Sequence, residues 1–317
     1  MFQMNKDLKF RSATYLVLIA AIISGSNNFL TKIAVTAIKD PILYTSLKNA
    51  IVAIFIIGAI LLLKKLPEVL SLTKRQLLRL LAIGFIGGAV PFALFFTGLQ
   101  QTSAINAGLI HKTLFVWVLL IAIPMLKEKL AWQQWVGIAA IFGANLFVGG
   151  FNGFQFNIGE FMILGATVFW AIENIIAKKA LENISSVVVA AARMSFGAMF
   201  LILFLALRGA PMAMGAVLDL SGAQWGWTLL TSVLLFGYVT LWYTALKNAP
   251  ATYVAALLVP ATLVTNVLSA VFITGSLAIP QIASAILLIT GVVLMILFAK
   301  RTAQSVLQTS FSNTPQS

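Results

Sequence analysis

Apolar residues run along this chain in long unbroken blocks and do not alternate with polar ones. Ten such blocks follow one another, at roughly 12–31, 42–63, 77–98, 103–123, 131–149, 158–177, 185–207, 225–246, 251–273 and 279–299. Each is near the 20 or so residues that a helix needs to cross a bilayer. The links are short and carry turn and charge signals, such as Lys39-Asp40-Pro41, Lys64-Lys65-Leu66-Pro67 and Lys127-Glu128-Lys129. The longest, about 66–76 and 208–224, cannot hold a soluble domain. Barrel strands would alternate over about ten residues; these runs are continuous and twice that length. The pattern predicts an all-α integral membrane fold of ten transmembrane helices. The first run is too long for a signal-peptide core and lacks a clear cleavage site, so it reads as a retained helix. The tail at 302–317, rich in Ser, Thr, Gln and Asn, is expected to be disordered.

Composition agrees with lipid as the solvent. The chain has 317 residues, of which 61% are hydrophobic and 9% charged, against about 25% charged in a soluble domain. Its mean hydropathy is +1.01. A soluble core of this length could not bury so much apolar surface. The net charge of +13 comes from Lys and Arg in the links, which argues for topology and against a nucleic-acid partner. There is no Cys, and the lone His111 cannot build a His-rich metal site. No phosphate loop, nucleophile triad or metal-ligand cluster appears, so neither an enzyme nor a cofactor is expected.

The links also set an orientation. With the N-terminus inside, the inner segments hold Lys6, Lys9, Arg11, Lys64, Lys65, Lys74, Arg75, Arg79, Lys127, Lys129, Lys178, Lys179, Lys247, Lys300 and Arg301. The outer segments hold only Lys32, Lys39 and Arg208. Positive charge inside then predicts a multi-pass protein of the plasma or inner membrane with both termini cytoplasmic.

The two halves align at a constant shift of 147 residues, which carries Asn27 onto Asn174, Lys32 onto Lys179, Leu130-Ala131 onto Leu277-Ala278 and Gln134 onto Gln281. The first unit spans 12–149 and the second 158–299, with five helices expected in each. An odd number of spans inserts the second unit upside down relative to the first, the plan of an inverted-topology repeat.

These residues resemble the EamA-type family of the drug/metabolite transporter superfamily. Ser24-Gly25-Ser26-Asn27 through Lys32 is similar to that family's Trp-Gly-Ser-Asn…Lys opening, with Ser24 in place of the Trp. Leu126-Lys127-Glu128-Lys129-Leu130, then Gln134 and Gly137, is similar to its Leu-Gly-Glu-Arg-Leu…Gln…Gly signature. The second unit offers Phe169-Trp170…Asn174…Lys178-Lys179, Tyr243-Thr244-Ala245-Leu246, Pro260 and Gly291. Two departures stand out: Gly275 where a counterpart of Glu128 is expected, and Thr113 opposite Pro260. The resemblance implies export or exchange of small metabolites, such as amino acids or organic acids, often coupled to protons.

Polar groups inside a bilayer are costly and face the bundle interior, which makes them candidates for substrate contact. Glu173 is the one carboxylate deep in a predicted span and shares a helical face with Trp170 and Asn174. It can bind a cationic group, carry a proton, or form an ion pair that fixes packing. Lys112 sits mid-span, able to pair with Glu173 or to hold a substrate carboxylate, and His111 beside it can relay protons. Lys48 and Arg193 lie a couple of turns into their helices, either lining vestibules or snorkelling to the headgroups. Asn27 leads a stripe with Ser24, Asn28 and Thr31, and Asn266 one with Thr262, Thr265 and Ser269; such stripes line cavities or bond helices together. Tyr238 lies deep enough for a cavity, whereas Tyr253 reads as a belt anchor. Gly84 and Gly88 suit close helix packing, and Pro91, Pro124 and Pro260 suit kinks. Three intramembrane cations against one anion favour a solute with an anionic group. The expectation is a gradient-driven carrier of small molecules. A passive channel and an exporter of cationic drugs are the alternatives, and the sequence indicates no oligomeric state.

Overall fold

The computed structural model describes residues 2–38, 40–145, 153–207, 217, 219–276 and 278–312, and among these every regular element is helical. In chain order they are α1 Phe2–Ile38, α2 Pro41–Leu62, α3 Leu66–Leu70, α4 Lys74–Gly88, α5 Val90–Leu99, α6 Ala104–Lys112, α7 Leu114–Leu126 and α8 Trp132–Ala144. The second half adds α9 Ile158–Ala180, α10 Ser186–Leu207, α11 Gly222–Asn248, α12 Ala251–Leu258, α13 Ala261–Ser269, a π-helical turn Ala270–Thr274, and α14 Ile279–Ser312.

Nine spans among the described residues are long and apolar enough to cross a membrane. The remaining block, the fifth at 131–149, is helical over α8 among the described residues, and the 13 residues of α8 fall short of a crossing; residues 146–152 lie outside the described residues, as do Lys39 and Arg208. The bundle's outer face is apolar, with Leu62, Ile279 and Leu207 at 85%, 82% and 78% exposure. In water such side chains would be a liability; in lipid they are the solvent-facing surface. The last helix continues to Ser312, so the backbone of 302–312 is helical where composition predicts disorder. Extending a formed helix adds one hydrogen bond per residue fixed, whereas starting one is costly.

Contacts between helices come in pairs related by exchange of the halves. In the first half α1 packs on α11, α12 and α13; in the second, α9 packs on α4, α5, α6 and α7. Likewise α2 meets α11 and α10 meets α4, while α2 with α10 and α8 with α14 are their own mates. The repeat visible in the sequence is therefore a repeat of packing.

Its caps repeat too. Gln134 Oε1 accepts from the Ala131 N–H at 2.9 Å, and Gln281 Oε1 from the Ala278 N–H at 3.0 Å. These side chains satisfy amide groups that the first turns of α8 and α14 leave open. Thr73 with Gln76 and Ser221 with Gln224 form capping boxes at the starts of α4 and α11.

The fourth membrane segment of each half is broken, α6/α7 at Thr113 and α12/α13 at Val259-Pro260. Thr113 and Pro260 are repeat mates, so the interruption persists without proline. Thr113 Oγ1 donates to Ile110 O at 2.6 Å and accepts from Trp117 Nε1 at 3.0 Å, which occupies groups at the break. The third segment breaks only in the first half, at Ala89 ahead of Pro91; α11 is continuous.

The departure at Gly275 has a backbone reason. Its φ of +72° lies in the left-handed region that glycine enters freely. The carboxylate at its mate, Glu128, accepts from Ala251 N at 2.6 Å, Thr252 N at 3.0 Å and Thr252 Oγ1 at 2.7 Å. It thus caps the first turn of α12 from the other half. At the mate of that turn Ser103 caps α6, and Asn106 of α6 donates to Glu160 of α9 at 2.6 Å.

Candidate functional site

Gly87 is where the two halves approach within the charged interior. A Cβ there would collide with the Glu173 side chain. Glycine therefore lets α4 lie against the carboxyl-bearing face of α9, and its carbonyl is left within reach of two donors. Trp170 Nε1 donates to Gly87 O at 3.0 Å, and Arg193 Nη2 donates to it at 3.2 Å. Gly87 belongs to the first half and Arg193 and Trp170 to the second, so one backbone oxygen links both.

Glu173 is 3% exposed in total, on α9. Tyr243 Oη of α11 donates to Glu173 Oε1 at 2.5 Å. Arg193 Nε of α10 stands 4.0 Å from the same oxygen, at the outer limit of an ion pair. Of the two roles the sequence leaves open to Lys112, pairing with Glu173 does not form: Arg193 and Tyr243 take the carboxylate. The reason is register, because α10 and α11 present those groups at the level of Glu173. Arg193 also approaches Met194 Sδ, with Nη1 at 3.6 Å. Tyr238 lies one turn from Trp242 with ring centroids 6.1 Å apart.

His111 joins this cluster through its ring. Its centroid is 4.9 Å from Trp170 and 5.4 Å from Phe95, both edge-on, and Nδ1 is buried without a hydrogen-bond partner among the described residues. Lys112, next along the chain, ends α6 half-buried and has no ion-pair or hydrogen-bond partner among the described residues.

Lys48 and Asn27 form a second polar centre, which shares no hydrogen bond or ion pair with Glu173. Lys48 on α2 is 7% exposed and Asn27 on α1 is 6% exposed. Lys48 Nζ donates to Asn27 Oδ1 at 3.3 Å and Thr31 Oγ1 at 3.1 Å, and lies 5.6 Å from the Tyr44 ring centroid. This burial removes the snorkelling alternative: the ammonium turns inward to polar partners. Tyr44 Oη in turn pairs with Thr231 Oγ1 of α11 at 2.5 Å.

Other expectations fare differently. Asn28 is exposed while Asn27 is buried, so the stripe is narrower than its spacing suggests. Asn266 is half-buried on α13, and its neighbour Thr265 donates to Gly25 O at 2.9 Å, a helix–helix bond. Tyr253 is 1% exposed and its hydroxyl pairs with Thr14 Oγ1 at 2.9 Å, so it is a core residue and not a belt anchor. It had to be: α12 is short and buried on nearly all sides. Gly84 and Gly88 pack on α10 against Phe196 and Gly197. Gly87, Tyr44, Thr231 and the role of Tyr243 as donor to Glu173 were missed in the sequence. A deep tyrosine needing a partner was the available signal.

A repeated helical bundle with charges buried between its halves is a polytopic membrane protein. The chain belongs to the EamA-like transporter family, whose profile matches it at residues 11–150 and 157–297. It is 23% identical over 229 residues to an uncharacterized transporter of Methanothermobacter thermautotrophicus, covering 70% of this chain and 65% of that one. It is 26% identical over 178 residues to an uncharacterized transporter of Clostridium kluyveri, covering 52% of this chain and 57% of the other. The matched parts thus span under two thirds of those curated relatives. A solved crystal structure shares the fold with a TM-score of 0.76 at 17% identity, covering 92% of this chain and 99% of that one.

Proposed function

We propose that this protein is a secondary active transporter, an exporter or exchanger, of small organic metabolites such as amino acids or organic acids. It works by alternating access. On this reading α8 and the residues after it complete a tenth span, and five spans per half set the second half upside down in the membrane. The N- and C-termini face the cytoplasm. The observation that carries the proposal is the shared Gly87 carbonyl: Arg193 and Trp170 of one half hold a backbone oxygen of the other, beside a buried carboxylate. A contact of that kind is remade when two halves rock against each other. Glu173 is the group that carries a proton where flux is proton-coupled, with Tyr243 and Arg193 as its partners. The interrupted segments α6/α7 and α12/α13 supply half-helix ends near the middle of the bilayer, where solutes of this class are bound.

The test is counterflow in proteoliposomes across amino acids, organic acids and cationic dyes at two pH values. Saturable exchange that Glu173→Gln abolishes or uncouples supports the carrier with a proton role. Flux that never saturates and shows no counterflow makes the protein a channel. Proton-coupled flux unchanged in Glu173→Gln rejects the proton role.

A further inference from the structure

We infer that the Lys48 ammonium, with Asn27 and Thr31, is the seat of a single carboxylate group of the transported solute. This rests on the carrier reading and adds to it where the anionic end of the cargo binds.

The first support is charge. Lys48 is 7% exposed and its ammonium touches only neutral groups: the Asn27 amide oxygen, the Thr31 hydroxyl and the Tyr44 ring. The chain has eight carboxylates, all among the described residues. Asp40 caps α2 and Glu68 accepts from Ser185 N. Glu128 and Glu160 tie down helix starts. Glu173 is taken by Tyr243 and Arg193, and Asp7, Glu182 and Asp219 are exposed. None forms an ion pair with Lys48. A lone cation in a bilayer interior is costly and marks a place where a counter-charge arrives.

The second support is the repeat. Asn27 and Asn174 are mates, and Lys48 falls on Ser195, two positions from Arg193. Each half therefore carries a cation at a closely corresponding place on its second helix, Lys48 buried and Arg193 partly buried. In the second half the cation has Glu173, the residue before Asn174. The mate of Glu173 is Ser26, the residue before Asn27. Serine lacks the two carbons and the second oxygen of glutamate. The first half thus keeps the cation and omits the acid, and a carboxylate from the solute replaces it. One positive charge is neutralised by a monoanion; a phosphate dianion would leave a buried negative charge in excess. The seat is framed from both halves, since Tyr44 is pinned to Thr231 of α11.

The probes are acetate, lactate, glutamate and benzoate, with benzylamine and inorganic phosphate as contrasts. Thermal stabilisation of the purified full chain and counterflow of labelled benzoate and benzylamine are the readouts. Carboxylates should stabilise wild type, with about tenfold weaker apparent affinity in Lys48→Met and near-normal affinity in Lys48→Arg. Ser26→Glu places an acid on the chain, so it should melt higher without ligand and lose the carboxylate response. The inference is overturned by an equal response in Lys48→Met, by no response of wild type to any of the four carboxylates, or by a Lys48-dependent response to phosphate alone. Counterflow of benzylamine without benzoate also overturns it while leaving the carrier reading intact. Absence of counterflow for every solute tested rejects the carrier itself.

Discussion

Tyr243 and Glu173 meet at 2.5 Å with the phenol donating to the carboxylate, 70 residues apart in sequence and both buried. The contact decides what Glu173 is in this conformation. Its Oε1 has a hydrogen bond from α11 and a guanidinium from α10 at 4.0 Å. It is a buried carboxyl with two partners, and any charge it carries is matched by Arg193. The cations without an acid lie elsewhere, at buried Lys48 and at half-buried Lys112.

A double-mutant cycle on Arg193 and Glu173 reads this directly. Arg193→Leu leaves a buried carboxylate without its cation, a change that costs about 3–5 kcal/mol. Adding Glu173→Gln removes the stranded charge, so the double variant should recover most of that loss. Thermal or denaturant unfolding of the purified protein measures all four corners. An Arg193→Leu protein as stable as wild type would mean the 4.0 Å pair contributes nothing.

Glycines on α4 and α2 make opposite predictions. A Cβ at Gly88 would sit 2.7 Å from both the Arg193 carbonyl oxygen and the Gly197 Cα, where backbone meets backbone. Gly88→Ala should therefore cost about 1–3 kcal/mol through overpacking. A Cβ at Gly58 would meet nothing within 4 Å. Gly58→Ala should be neutral or gain up to about 1 kcal/mol from helix propensity. Unfolding midpoints of the two variants, measured side by side, separate close approach from glycine content.

How far the sequence reaches is clear from particular residues. Block lengths located nine of the ten expected spans closely, because lipid demands an unbroken apolar run, although α1 and α14 run on well past their blocks. Gln134 and Gln281 signalled the repeat, and their matching roles as caps explain why the same residue stands at both helix starts. The break at Thr113 was not legible, because no proline marks it and the hydroxyl's bonds form only in the folded turn. The partner of Glu173 was not legible either. Three cations and one acid in the spans allow several pairings, and spacing along one helix says nothing about which helix lies opposite. Gly87 was hidden between Gly84 and Gly88, whose spacing suggested packing alone.

Glu68, in the link between α2 and α4, predicts a pH effect. Partial burial pushes its carboxyl up, but the Ser185 backbone N–H at 2.6 Å and Lys65 at 3.4 Å outweigh that and hold it below the ordinary 4.5. A depressed acid stabilises the fold above its unfolded value, and that contribution is lost as pH falls through the folded one. The melting-temperature difference between wild type and Glu68→Gln should be constant above about pH 5.5 and shrink toward zero below 4.5. A difference that grows as the pH falls would reverse the sign and reject the assignment of Ser185 as its partner.

Lys129 and Ser276 are repeat mates, both exposed, each just before the fifth helix of its half. If the halves are inverted, the same structural position lies on opposite faces of the membrane, with Lys129 inside and Ser276 outside. The chain has no Cys, so a single introduced thiol reports alone. In sealed right-side-out vesicles a membrane-impermeant maleimide should label Ser276→Cys at once and Lys129→Cys only after permeabilisation. Neither side chain caps a helix, so both variants should fold and can be checked by melting. Labelling of both from one side would make the halves parallel. Exchange of the halves could then no longer convert an inward-facing arrangement into an outward-facing one, and alternating access by this route would fail.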